Sequence, residues 1–292
     1  MTTTLISLLL LGGLAMLLAS AAAGLGAVLL GSGLVSARAT GVQEAAERSP
    51  GSALLPRLSH VGVAGAFAAL AIALVARGAV AGRVPWSNLH EFSLAFAVAL
   101  LGAYLLLARR EAIAGLAPLT ALLAAGLVGL ALSFDDRIDP LVPALQQPLL
   151  LAIHVGSAAL AYALSGLAFV AAAAEIGQRA SADRIAALPT AATLRAVGHR
   201  VVLLAFPILT LAIVLGSVWA NLAWRSYWSN DPKELAAAAT WAVFGAYLHV
   251  AGRRDRWERL APWLIVLGFF GVLFTYIGAG LFFVGEHSYA AP

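Results

Sequence analysis

Long apolar runs, separated by short polar segments, make up most of this chain of 292 residues. Apolar and polar positions do not alternate along it, so the pattern does not predict a β-barrel. A run of about 18 or more apolar residues is long enough to cross a bilayer as an α-helix. We therefore predict an all-α, polytopic membrane helix bundle of about eight transmembrane helices. The predicted helices cover residues 4–30, 57–76, 92–108, 112–133, 149–174, 201–220, 232–251 and 262–284.

Composition supports the membrane assignment and excludes several classes of protein. The chain is 62% hydrophobic and 11% charged, whereas a soluble domain carries about 25% charged residues. Its arginines are spread over the loops, so the net charge of +4 does not form a patch that would bind nucleic acid. There is no cysteine, which excludes disulfides and thiolate ligands. Any metal or haem chemistry must therefore use histidine.

The positions of the basic residues predict the topology. Most of the Lys and Arg residues follow predicted helices 1, 3, 5 and 7, and the positive-inside rule places those loops in the cytoplasm. Both termini and the segment 221–234 are then expected outside a plasma membrane that the chain crosses many times. The first charge is Arg38, so we interpret the first helix as retained rather than as a signal peptide. With no long linker and no repeat at a fixed period, residues 1–292 are expected to form a single domain.

The segment NLAWRSYWSNDPKE, residues 221–234, is unusually rich in aromatic side chains. Asp231, Pro232 and Glu234 form a good helix start, with Asp as N-cap and Glu closing a capping box. Tryptophan and tyrosine also favour a membrane interface whatever the function. However, Trp219, Trp224, Trp228 and Trp241 are four of only seven tryptophans. This density suits a planar, largely apolar ligand with anionic edges, and haem is such a ligand.

The six histidines indicate where such a ligand would bind. His154 and His287 lie near the predicted outer ends of helices 5 and 8, at the level of the aromatic segment. His249 lies 17 residues beyond Pro232, roughly 26 Å along its helix and near the other face of the membrane. A histidine within a membrane helix is costly and is a functional candidate. Each of the three also has a structural interpretation, as an interfacial, solvated or packing side chain.

The other three histidines are interpreted structurally. His60 and His199 begin helices beside arginines and are interpreted as interfacial polar residues. His90 belongs to the turn PWSNLHEFS, in which Pro85, Ser87 and Asn88 form a turn and cap before helix 3. Glu91 in that turn is expected to cap the helix or to pair with Arg77 or Arg83.

Four sequence segments resemble segments of a known family. GSVWANLAWRSYWSNDPKE together with TWAVFGAYLH is similar to the tryptophan-rich WWD segment of the CcsA (ResC) family, whose actinobacterial members are sometimes called CcsB. The closing FTYIGAGLFFVGEHSYA and the earlier PWSNLHEFSLAF are also similar to segments of this family. These are cytochrome c biogenesis proteins of the System II haem lyase. The WWD segment corresponds to residues 216–241, expected on the outer face.

The resemblance implies a haem-handling enzyme, a holocytochrome c synthase subunit. It implies that haem b is held at the outer face by His154 and His287 as axial ligands, and that His249 belongs to an inner haem station. Its implied partners are a ResB-type (CcsB-type) companion membrane subunit, which supplies the second inner ligand, and an apocytochrome c, whose Cys-x-x-Cys-His motif receives the haem through thioether bonds. The haem-contacting residues that it implies in the WWD segment are Trp219, Trp224, Tyr227, Trp228, Asp231, Lys233 and Glu234.

The sequence departs from the family pattern in several places, two of which are Asn230 and Arg225 in the aromatic segment. Asn230 stands where the family usually has tryptophan, and Arg225 stands where it usually has glycine. Two other functions remain open: a non-enzymatic haem carrier of the CcmC type, and an ordinary transporter or structural membrane protein. Within this chain, only His60 begins a helix at a depth comparable to that of His249, so it is the intramolecular alternative to a partner's inner ligand.

Overall fold

The computed structural model describes residues 2–38, 50–111, 113–138, 148–253 and 257–287, and these residues are almost entirely helical. The arginines at 254 and 256 and the Ser-Tyr-Ala step at 288–290 lie outside the described residues. The helices are α1 Thr2–Arg38, α2 Pro50–Ala81, α3 Leu89–Ala108, α4 Ala117–Ser133, α5 Pro148–Ala180, α6 Ala191–Trp224, α7 Pro232–Val250, α8 Trp257–Leu273 and α9 Ala279–Phe282. A 3₁₀ turn, Ala114–Leu116, precedes α4, and a π-helical stretch, Phe274–Gly278, joins α8 to α9. The predicted all-α, polytopic bundle is confirmed.

The described residues contain seven helices, rather than the predicted eight, that are long and apolar enough to cross a membrane. The exception is α7, which has 19 residues but carries Lys233, Glu234 and His249 near its ends. These three side chains lower its mean hydropathy. It nevertheless packs between α6 and α8 within the same bundle. Along the other helices, large apolar side chains such as Leu8, Val75 and Leu106 remain exposed and form a surface suited to lipid.

The chain is built as two four-helix halves with the same packing order. In the first half, α1 packs on α2, α3 on α4, and α4 returns to α1. In the second half, α5 packs on α6, α7 on α8, and α8 returns to α5. The halves meet mainly where α3 packs against α5. A shared arrangement of this kind is typical of internal structural repeats in membrane proteins.

Short sequence matches occur at corresponding places in the two halves. The matches are His60 with His199, Ala66-Phe67 with Ala205-Phe206, the Gly-Ala-Tyr-Leu step at 102–105 and 245–248, and the Leu-Ala-Pro step at 116–118 and 260–262. The spacing between the copies is 139 residues for the first two matches, 143 for the third and 144 for the fourth. This drift explains why the sequence shows no repeat at a fixed period.

Matching side chains make matching contacts at the end of the bundle opposite the aromatic segment. His60 Nδ1 lies 3.2 Å from the Tyr104 hydroxyl in the first half. His199 Nδ1 lies 3.3 Å from the Tyr247 hydroxyl in the second half. Both histidines are thus engaged in helix-to-helix contacts that close a hairpin.

Candidate functional site

A large pocket opens at the end of the second half that holds the aromatic segment. It contains about 1240 Å³ of empty space, part of which is open to solvent. We call it the aromatic pocket. Its walls come from α5, α6, α7, the π-helical stretch, the tail after α9 and the turn before α3, and include His154, Trp219, Tyr227, Trp228, Lys233, Glu234 and His287.

His154 is held against α6 by a hydrogen bond and by a close packing contact. Its Nδ1 donates to the carbonyl oxygen of Ala212 over 2.9 Å. The imidazole lies so close to Gly216 that an added Cβ there would be 2.7 Å from Cε1. A glycine is therefore required for this approach. Because the carbonyl can only accept, Nδ1 carries the hydrogen and Nε2 keeps the lone pair that can bind a metal.

His287 is held by the N-cap residue of α7. Its Nδ1 lies 2.8 Å from Asp231 Oδ1, and Asp231 is only 4% exposed. Burial alone would raise the pKa of the Asp231 carboxyl. The hydrogen bond and charge of His287, together with the backbone amides of Lys233 and Glu286, outweigh it and lower this pKa to about 2. A carboxylate on one ring nitrogen is the arrangement that orients metal-binding histidines in general.

Tryptophan rings connect the two histidines. Trp219 is buried and stacks on His154 with an interplanar angle of 11° and a centroid separation of 6.1 Å. Its centroid lies 5.9 Å from that of His287. Trp224 packs edge-on against both Trp219, at 4.7 Å, and His287, at 5.0 Å. Trp219 thus forms a wall of the aromatic pocket, and Trp224 supports that wall and the histidine beside it.

The loop between α6 and α7 contains two residues in the left-handed backbone region. Arg225 ends α6 with φ 62°, and Asn230 has φ 59°. This region of backbone conformation favours glycine, which accounts for the glycine that the family pattern usually has at position 225. Asparagine, the residue at position 230, adopts the region more readily than most other residues. Trp228 is 42% exposed and donates from Nε1 to Asn230 Oδ1 over 2.9 Å. The two turns thereby present Tyr227 and Trp228 at the mouth of the pocket.

The predicted capping box at the start of α7 is confirmed. Asp231 accepts from the backbone amide of Lys233, and Glu234 accepts from the amides of Asp231 and Ser229. The carboxylates of Asp231 and Glu234 therefore have partners within the protein. Lys233 is half-buried and lines the pocket, which places a cationic side chain beside the histidines.

His249 lies apart from the other candidate ligands. It is exposed near the far end of α7, where Nε2 is 3.4 Å from Arg253 Nη2. At 1.5 Å per residue, it stands roughly 26 Å from the start of the helix. The structure thus brings His154 and His287 to one pocket and leaves His249 outside it. His60 belongs to the first half, where it contacts Tyr104 rather than the second half.

Several residues that line the pocket are not among the site residues that the sequence pattern predicts. The additional ones include Trp86, Phe92, Tyr162, Thr275 and Tyr276. The last two lie in the π-helical stretch, an irregularity that is frequent at functional sites. No sequence signal marks a π-helix. Trp86, however, could have been found from the sequence, because the Trp-Ser-Asn step at 86–88 recurs at 228–230 in the aromatic segment.

Glu91 and His90, in the turn before α3, are both structural. The predicted pairing of Glu91 is confirmed with both partners, since Arg77 and Arg83 each lie 2.9 Å from its carboxylate. The predicted cap is confirmed too, because the Glu91 amide donates to Asn88 Oδ1 over 2.8 Å. His90 is buried and donates from Nδ1 to the carbonyl of Ala131.

The ligand set limits what metal chemistry the pocket can support. Among the residues that the structure describes, no group of three or more His, Cys, Asp or Glu side chains is arranged to hold a metal ion. A bare ion such as Zn²⁺ needs three or four protein ligands. Two histidines on an aromatic wall instead suit a metal that brings its own equatorial ligands in a flat macrocycle.

Comparison with known proteins agrees with these observations. The sequence model of a family described as "Cytochrome C assembly protein" matches residues 86–287. The "Cytochrome c biogenesis protein CcsA" of Synechococcus elongatus is 34% identical over 287 residues, covering 80% of this chain and 88% of that protein. The CcsA of Picosynechococcus sp. is 47% identical over 102 residues, which cover 35% of this chain and 30% of that protein.

A solved structure shares the fold. The "Cytochrome c Heme Lyase CcmF" superposes with a TM-score of 0.64 at 22% identity, over 93% of this chain and 46% of that one. The chain thus spans about half the length of that protein, and the likeness concerns the fold alone. The family match covers more than half of the chain, and the S. elongatus relative aligns along most of both proteins. The chain therefore belongs to the cytochrome c assembly protein family, as a CcsA-type member with a role in cytochrome c maturation.

Proposed function

We propose that the aromatic pocket binds haem b between His154 and His287 and presents it to the Cys-x-x-Cys-His motif of an apocytochrome c for thioether attachment. The observation that carries this proposal is that the two histidines are held in the same way. In each, Nδ1 is engaged by a fixed oxygen, from Ala212 or from Asp231. Nε2 of His154 is then the ring nitrogen for iron, and the Asp231 carboxylate orients the ring of His287 towards the same pocket.

The remaining pocket residues suit the rest of a haem. Trp219 supplies a buried aromatic face, and Tyr227 and Trp228 supply exposed ones at the mouth. Lys233 is the cationic partner for a propionate. Asp231 and Glu234 support the site indirectly, since their carboxylates hold His287 and the start of α7.

Two neutral imidazoles keep the iron coordinatively saturated while haem waits for its acceptor. Their binding is reversible, so the histidine of the acceptor motif can replace one of them. Each cysteine S–H then adds across one haem vinyl group, with sulfur and hydrogen going to the two carbons of the double bond. The chain contributes orientation and effective concentration to this step. The proposed enzyme is a holocytochrome c synthase.

We assign His249 to an inner haem station on the cytoplasmic side. Its separation from the pocket, roughly 26 Å along α7, is too great for one haem to reach both. The second inner ligand is assigned to a ResB-type companion subunit in the plasma membrane. His60 is the intramolecular alternative, but it lies in the first half of the bundle, where it already contacts Tyr104. The aromatic pocket and both termini then face outward.

Substitution of the ligands tests the outer site. His154→Ala and His287→Ala should each abolish most maturation of a co-expressed reporter cytochrome, and added imidazole should partly restore it by refilling the empty axial position. His60→Ala is the matched control, since this histidine also contacts a side chain on another helix but lies in the other half. Normal maturation by both ligand variants would contradict the assignment.

A carrier of the CcmC type is the second candidate, because it would bind haem through the same residues. Co-expression with a ResB-type subunit and a Cys-x-x-Cys-His reporter separates the two. Covalent haem on the reporter supports the synthase. Haem bound to the chain without covalent product, in the presence of that subunit, supports the carrier.

The inner station is tested by the haem content of His249→Ala and His60→Ala, each with and without the ResB-type subunit. His249→Ala should lower the haem content of the protein. When imidazole is supplied, the outer site of this variant should still support maturation of the reporter. His60→Ala should change little. An equal loss of haem in both variants without the subunit would mean that the inner pair is built within this chain.

A further inference from the structure

The first half of the chain supplies one wall of the aromatic pocket. The pocket is otherwise built from the second half, but Trp86, Ser87, Asn88 and Phe92 also line it. These residues belong to the turn that joins α2 to α3 and to the first turn of α3. The contact follows from the packing of α3 against α5, the main junction between the halves.

Trp86 reaches across this junction to the helix that carries His154. A Cβ added at Gly156 would lie 3.2 Å from Cη2 of the Trp86 indole. The outer edge of the indole therefore rests on bare backbone, two residues beyond His154. Trp86 is half-buried, so part of the ring remains exposed towards the pocket that it lines.

A buried carboxylate holds the turn in place. Glu91 is fully buried, and its Oε2 accepts from the Ser87 amide at 2.9 Å and the Ser87 hydroxyl at 3.0 Å. Two arginines neutralise this carboxylate: Arg77, which lies on α2, and Arg83, which follows the end of α2. Because a buried charge is tolerated only with such complete pairing, this network fixes the position of the residue before Ser87, which is Trp86.

The turn is the counterpart of the aromatic loop in the second half. Both contain Trp-Ser-Asn followed by a helix start and a glutamate, at 86–91 and 228–234. In the second half, the Ser229 amide and hydroxyl also contact a glutamate oxygen, that of Glu234, at 2.8 and 3.3 Å. The same device thus presents one tryptophan from each half to the same pocket.

We propose that Trp86 is a binding residue for the haem ring, a second aromatic wall that the first half of the chain provides. This inference rests on the proposed function and extends it: the ligand is held between two copies of one Trp-Ser-Asn turn rather than by the WWD segment alone. Its contribution should match that of an aromatic contact with a planar ring, which is about three- to tenfold in affinity.

Release of haem from the purified full-length protein in detergent tests this proposal. The protein is loaded with haem, and the rate of transfer to an excess of apomyoglobin is followed in the Soret band. Trp86→Ala should release haem about three- to tenfold faster than the wild type. Trp86→Phe should release it at nearly the wild-type rate. Trp263→Ala is the matched control, since Trp263 is 55% exposed on α8 and does not line the pocket.

Gly156→Val provides a second route to the same perturbation, because its side chain would displace the indole from α5. It should accelerate release, and the double variant with Trp86→Ala should be no faster than Trp86→Ala alone. Wild-type release rates in Trp86→Ala, or in Gly156→Val should Trp86→Ala not fold, would overturn the role of Trp86 and leave the proposed function intact. A wild-type protein that takes up no haem would instead overturn the proposed function, and this inference with it.

Discussion

Replacing Gly216 by alanine tests whether the contact of His154 with α6 prepares this histidine for iron. The added Cβ would lie 2.7 Å from Cε1 and 3.3 Å from Nδ1 of the imidazole. Carbon atoms in favourable contact are about 3.5–4.0 Å apart, so the ring must move away by about 1 Å. This movement would lengthen the 2.9 Å bond to the Ala212 carbonyl beyond hydrogen-bonding distance.

The expected result is weaker haem binding in a protein that is no less stable. Loss of the group that orients a metal-binding histidine lowers metal affinity about 10–100-fold, or about 1.4–2.8 kcal/mol. Alanine is a better helix former than glycine by about 1 kcal/mol. This gain offsets the loss of the hydrogen bond between His154 and Ala212, which contributes about 1 kcal/mol, so the melting temperature should change little.

Haem titration in the Soret band measures this affinity, and imidazole should restore part of it. The control is Gly129→Ala on α4, where an added Cβ meets no atom within 4 Å. Unchanged affinity in Gly216→Ala, or an equal loss in Gly129→Ala, would refute the reasoning.

Three further changes test the aromatic loop and the tail. The pKa of the Asp231 carboxyl is about 2 in the folded protein, compared with an ordinary value of 3.8. This difference contributes about 2 kcal/mol to the free energy of unfolding. The contribution is complete above about pH 4 and is lost as the pH falls through 2. Asp231→Asn should remove this pH dependence in denaturation curves measured between pH 2 and 7, and unchanged curves would contradict it. Arg225→Gly should raise the free energy of unfolding by about 1 kcal/mol, since glycine adopts φ 62° without strain; a loss of stability would show that the Arg225 side chain matters more than its backbone. Gly285→Ala should weaken haem binding, because an added Cβ would collide with Asp231 Oδ2 and displace the segment that carries His287; wild-type affinity would mean that this close approach of Gly285 to Asp231 is not needed.

Local patterns in the sequence were sufficient for the class of fold and for the helix starts. Apolar runs predict membrane helices because only helices satisfy the backbone within a bilayer, and the bundle is all-α as expected. The N-caps Asn88 and Asp231 were predictable because a cap joins residues three apart. The predicted helix that is too polar to count as a membrane span is α7, because its polar ends outweigh a short apolar centre.

The sequence by itself also determined the residue types of the site, since two histidines and a tryptophan-rich segment at matching membrane depths predicted one shared pocket. Only the tertiary structure decided which atoms meet there. The Ala212 carbonyl, the bare backbone at Gly216 and the Asp231 carboxylate lie far from their histidines along the chain, so no local pattern reports these contacts. Trp86 belongs to the pocket for the same reason: its place follows from the packing of α3 on α5, which depends on the surfaces of both helices rather than on either sequence alone.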